Sequence, residues 1–159
     1  MPRSRRSRRQ PAEDHATYLV AIEDWDWSFT FGVNQGRHRT DPYWDYRHLN
    51  ITGQLLQPKR VKAERAALYC MPDVHLNHAY RQDDEPNGSG SLMLHNDVLQ
   101  ALLPIPQDAL DSLLQMLVAR RFRYAVLTGG KLRYRKALVR MLRFETRLDE
   151  DDFPADDDG

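Results

Sequence analysis

The stretch EDWDWSFTFGVN, residues 23–34, sets two tryptophans between acids and runs on through two phenylalanines. Side chains two apart share one face of a strand. Here Trp25, Trp27, Phe29, Phe31 and Val33 fall on one face, with Asp24, Asp26, Ser28 and Thr30 on the other. The alternation predicts a half-buried strand. Its aromatic face, Trp27 and Phe29 above all, is expected in the core, because large aromatics dominate core burial. Just upstream, YLVAI puts Tyr18, Val20 and Ile22 on even positions, so the apolar parity slips by one between Ile22 and Trp25. A bulge or tight turn at Glu23 and Asp24 must absorb that slip. The tryptophans nearest the bend are the ones placed to line a cleft instead.

Similar signals recur downstream. In RHLNITGQLL (47–56) Leu49, Ile51 and Leu55 alternate with polar residues, and Gly53 marks a bulge or a close backbone approach. RAALYCMP (65–72) and SLMLH (91–95) are short, bounded and β-capable, and RQDDEPNGSG (81–90) between them is a turn-rich loop. PIPQDALDSLLQMLVARR (104–121) is a helix over about 106–120. Pro106 suits a first turn, acids lead, Arg120 and Arg121 trail, and Leu110, Leu113, Leu114 and Leu117 form one stripe. FRYAVLTGGKLRY (122–134) reads as a hairpin turning at Gly129 and Gly130, pairing Phe122, Tyr124 and Val126 with Leu132 and Tyr134. Residues 135–148 fit both a helical stripe and a strand with Leu138, Leu142 and Phe144 on one face. The strand is preferred because it continues the hairpin. The expected fold is mainly β, an antiparallel β-sandwich or barrel-like sheet of about seven strands with one amphipathic helix before the final hairpin.

The 159 residues carry 23 basic and 23 acidic side chains, and the charge is unevenly placed. Arg3, Arg5, Arg6, Arg8 and Arg9 crowd the start, and Asp149, Glu150, Asp151, Asp152, Asp156, Asp157 and Asp158 crowd the end. Like-charge blocks repel themselves and bury nothing, so residues 1–14 and 149–159 are expected to be disordered tails around a single globular domain, 15–148. No apolar run reaches the ~18 residues of a membrane span and no signal-peptide core follows the arginines, so a cytoplasmic location without membrane contact is expected. With Cys70 the only cysteine, an internal disulfide and a thiolate cluster are excluded.

Three function classes stay open. MPDVHLNHAY (71–80) holds Asp73, His75 and His78, and His95 lies beyond the loop. A carboxylate and imidazoles are ligands that zinc, iron or manganese use in hydrolases and oxygenases. Yet a strand would point His75 and His78 to opposite faces, and no H-E-x-x-H spacing occurs. Lys131, Arg133 and Arg135 alternate along the final hairpin, followed by Arg140, Arg143 and Arg147. With the arginine tail they form a basic footprint for non-specific nucleic-acid contact. The body itself is near neutral, unlike a dedicated binder. Cys70 lacks a basic partner, and no nucleophile elbow, Walker loop or dinucleotide fingerprint is present. The preferred expectation is a non-enzymatic, cofactor-free binding or protein-interaction module with a protein partner, its oppositely charged tails engaging charged partners.

Overall fold

The computed structural model describes residues 15–35, 42–81 and 89–149. The two tails assigned from charge therefore lie outside the described residues, apart from Asp149, as do Arg3, Arg5, Arg6, Arg8 and Arg9. The elements are β1 (His15–Val33), β2 (Tyr43–Gln57), β3 (Arg65–Asp73), β4 (Gly90–His95), β5 (Val98–Pro106), α1 (Leu110–Val118), β6 (Tyr124–Gly130) and β7 (Lys136–Glu145). Short 3-10 turns cover Val74–Leu76, His78–Tyr80 and Gln107–Ala109. The strands close into one barrel-like sheet in the order β1-β2-β3-β5-β4-β7-β6, antiparallel throughout except for the parallel pair β3 and β5. The mainly β fold with one helix before the last two strands is as the sequence implies. Among the described residues, no helix is long and apolar enough to cross a membrane.

Alternation fills the interior. β1 contributes Ala16, Tyr18 and Val20, β2 Leu49, Ile51 and Leu55, β3 Ala66, Leu68 and Cys70, and β5 Leu99, Ala101, Leu103 and Ile105. α1 lays Leu110, Leu113 and Leu117 into the same core, the stripe its 3.6-residue period dictates. The parity slip in β1 is a register shift against β2 between Ile22 and Asp24, which returns the aromatic face to the side of the core. Gly53 pairs with Ile22 at this bulge, where a Cβ would run into the Ala21 carbonyl, so only glycine lets the strands approach.

The last hairpin is not built as its glycines suggest. Gly129 and Gly130 are strand residues of β6, Gly129 opposite Val139, and the chain reverses instead at Tyr134 and Arg135. Arg133 and Lys136 exchange backbone hydrogen bonds of 2.8 and 3.0 Å around these two residues, whose φ values are 51° and 66°. This is the left-handed two-residue turn that Asn-Gly ordinarily supplies. Tyr134, at 99% exposure, gives nothing back through packing. Tyr134→Asn is therefore expected to raise stability by about 0.5–1 kcal/mol, read as a higher urea midpoint at unchanged slope.

β7 is a strand, as preferred over a helix, but its faces differ from expectation. Val139 is fully buried and Leu138 exposed, whereas Leu142 and Phe144 pack inward. The cause is a register shift between β6 and β7. Thr128 pairs with Met141 and Gly129 with Val139, leaving Arg140 as an extra residue that inverts the alternation.

Candidate binding surface

β1 and β2 are the longest strands, and they outrun the barrel. β6 pairs with β1 only over residues 15–21, with one further bond from the Ile22 N–H to the Arg123 carbonyl at 2.8 Å. β3 pairs with β2 only over residues 49–54. The outer edge of β1 is thus unpaired from Asp24 onward, and, among the described residues, β1 and β2 pair only with each other from Ser28 opposite His48 to Val33 opposite Tyr43. The result is a two-stranded arm rooted in the barrel.

The arm divides the aromatic row of β1. Trp25 and Trp27, at the root, are half-buried against the core. Phe29 and Phe31 are 55% and 59% exposed, and Val33 is exposed too. The expectation that Phe29 is core is overturned, because a core needs a second layer and the barrel ends before Phe29 reaches it. Trp27 is only partly covered. Face-sharing residues of β2 complete this side. Arg47 holds its guanidinium carbon 5.6 Å from the Phe29 ring centre, and Phe31 stacks on Tyr43 at 5.9 Å and 14°. Arg47 also donates to Asp45, through Nη2 at 2.7 Å and Nε at 2.8 Å. These cross-strand and cation–π contacts hold the side chains in place while leaving their outer faces in water.

The opposite face is aromatic as well. Trp44 lies over Gly32, where a Cβ would come within 2.5 Å of the indole, and Tyr46 packs on His48 at 5.3 Å. Tyr43, Trp44 and Tyr46 are all exposed. The signal for this in the sequence is the run PYWDY, residues 42–46, which periodicity around Trp25–Val33 does not reach. Aromatics on both parities of one strand cannot all face a single core. Between Ile22 and Thr52 the described residues of the arm and its root carry Glu23, Asp24, Asp26 and Asp45 against the single cation Arg47.

The other candidate residues are dispersed. The Asp73 carboxylate accepts from the His75 N–H at 2.9 Å and caps the first 3-10 turn. His75 and His78 are exposed on consecutive 3-10 turns. His95 lies at the other end of the sheet, hydrogen-bonded through Nε2 to the Asn96 amide at 3.0 Å. His95 pairs with Val98 and Val98 with Arg65, whereas Asp73 pairs with Pro106. The eight residue steps from Val98 to Pro106 span about 26 Å. Among the described residues, no three His, Cys, Asp or Glu side chains are grouped to hold a metal ion.

Arg133 and Arg135 sit at the tip of the β6–β7 hairpin, and Arg140 is the bulge residue of β7. Lys131, Arg133 and Arg135 thus lie in a connection rather than along one strand face. Arg135 is tied down, its Nε donating to the Leu94 carbonyl at 3.0 Å. Cys70 is buried in the core, and burial pushes the pKa of its thiol up to about 12, which keeps it protonated and unreactive. A groove of 1260 Å³ beside the β2–β3 connection mixes both signs, with Lys59, Lys62 and Arg65 facing Glu23, Glu64 and Asp97. Arg65 and Glu23 already pair there at 2.7 Å.

Comparison with protein-family models, with curated proteins and with solved structures returns no match.

Proposed function

We propose that the protein is a non-enzymatic interaction module that engages a protein partner through the β1–β2 arm. The observation that carries this reading is the clustering of Phe29, Phe31, Tyr43, Trp44 and Tyr46, all exposed, on a ribbon beyond the barrel. An isolated two-stranded ribbon is marginal in water, and one that shows aromatics on both faces gains from being covered. Protein interfaces favour this composition, Tyr, Trp, Phe and Arg with few lysines. The acids at the arm root disfavour a polyphosphate ligand there.

Non-specific nucleic-acid contact is the second reading, supported by Arg133, Arg135 and Lys136 flanking the fully exposed Tyr134 ring. Base stacking on such a ring beside cations is a sequence-tolerant mode of binding single strands.

Site-specific photocrosslinking separates the readings. With p-benzoylphenylalanine in place of Phe31, protein adducts are expected in native extract, and Phe29→Asp should abolish them. The same probe in place of Val118, exposed on α1, should give none. Equal labelling from both positions would contradict the arm as the binding surface.

A further inference from the structure

We infer that the partner of the arm is a second copy of this chain, joined by antiparallel pairing of the two β1 edges about a twofold axis at Phe29. The inference rests on the reading of the arm as a binding surface and adds the occupant. Among the described residues, the outer edge of β1 is open from Asp24 to Val33, ten residues, while that of β2 is open only from Tyr43 to His48, six residues, before β3 takes it at Leu49. An open edge is a template for another strand.

The β1 edge is self-complementary when it runs antiparallel to itself. With Phe29 opposite Phe29, Trp27 faces Phe31 and Trp25 faces Val33 on one side of the sheet, and Ser28 faces Thr30 on the other. The acids of β1 all lie towards the root, so the same register sets Asp26 opposite Gly32 and Asp24 opposite Asn34, while Glu23, in the bulge, lies before the open edge and pairs with Arg65. No like charges meet. Parallel pairing in register would stack each acid on its own copy, and like charges directly opposite destabilise a sheet. At the root, a groove of 420 Å³ between Ile22–Trp25 and Leu117, Arg120, Phe122 and Arg123 leaves room for the end of the incoming strand. The interface is isologous and closes at two copies, joining the arms as a four-stranded sheet between two barrels.

A charge exchange at the axis tests this in trans. Opposed residues in an antiparallel pair have Cβ atoms about 4.5–5.5 Å apart, so Phe29→Asp alone or Phe29→Lys alone sets like charges against each other. Sedimentation velocity of the full chain should show a concentration-dependent dimer. Each variant alone should dissociate at least about tenfold more readily, and an equimolar mixture should regain the dimer, because Asp then faces Lys. Urea midpoints near the parental value will show that both variants are folded. A parent that stays monomeric up to about 1 mM overturns the inference, because even a millimolar dimer would assemble at that concentration. So does a parental dimer that neither variant disturbs, or a mixture that stays as monomeric as its components. Adducts from position 31 to a different protein, beside a monomeric parent, would remove the second copy and leave the arm as the binding surface.

Discussion

Leu68→Ala is expected to remove about 3–5 kcal/mol of stability, and Phe29→Ala less than about 1 kcal/mol. Leu68 is fully buried where β2, β3 and β5 meet, paired with Ile51 on one side and Ala101 on the other. Its truncation leaves a cavity bounded by close-packed neighbours that relax only partly. Phe29 is larger, and on size alone would cost more. It stands on the arm with its outer face in water, touching Arg47 and little of the barrel, so most of its transfer free energy is never realised on folding. Urea unfolding of both variants at unchanged slope gives the two numbers directly. A Phe29→Ala loss as large as that of Leu68→Ala would return the aromatic row to the core.

Two adjacent glycines are expected to respond in opposite ways to the same substitution. Gly129 lies beside the β7 bulge, where a Cβ would run into the Leu138 carbonyl and crowd Val139, both backbone atoms that move only with the ladder. Gly129→Ala is expected to destabilise by about 1–3 kcal/mol, the cost of forcing a methyl into a filled space. At Gly130 nothing lies within 4 Å of the place a Cβ would occupy, and its carbonyl still accepts the Tyr18 hydroxyl at 2.8 Å. Gly130→Ala is expected to be neutral or to stabilise by about 0.4–1 kcal/mol through a less flexible unfolded chain. Were the two glycines the left-handed centre of a turn, both alanine variants would be strained. The pair of urea midpoints distinguishes a strand from a turn.

These two cases show what the residue pattern conveys and where it stops. Alternation places Tyr18, Val20, Leu49, Ile51, Leu68 and Cys70 inside, and the one-residue slip before Trp25 locates the β1 bulge. Both are local consequences of a period of two. The helix is legible from its leucine stripe and flanking charges. The faces of β7 are not, because one extra residue at Arg140 inverts the parity without any sign in composition. Nor is the turn at Tyr134 and Arg135, since a glycine pair outranks a tyrosine wherever positive φ is needed, and only the pairing of whole strands moves the reversal further along the chain. The arm is the hardest feature to see. Trp25 to Val33 keeps one unbroken alternation, and whether an aromatic face is covered depends on where β3 and β6 end, which no window around Phe29 contains. Among the chemical candidates, spacing already sets His75 against His78, but the separation of His95 from Asp73 follows from the parallel pairing of β3 with β5.

If the arm beyond Trp27 and Leu49 is a binding surface, it contributes little to the fold and can be removed. These two residues are directly opposed, so residues 28–48 can be replaced by Asn-Gly, the sequence preferred in a two-residue hairpin turn. Urea unfolding of this shortened chain is the direct test. A single cooperative transition with stability within about 1 kcal/mol of the parent is expected, because the buried set from Ala16 to Val139 is intact. Loss of the cooperative transition, or a drop comparable to that of Leu68→Ala, would show that the aromatic ribbon is part of the core after all.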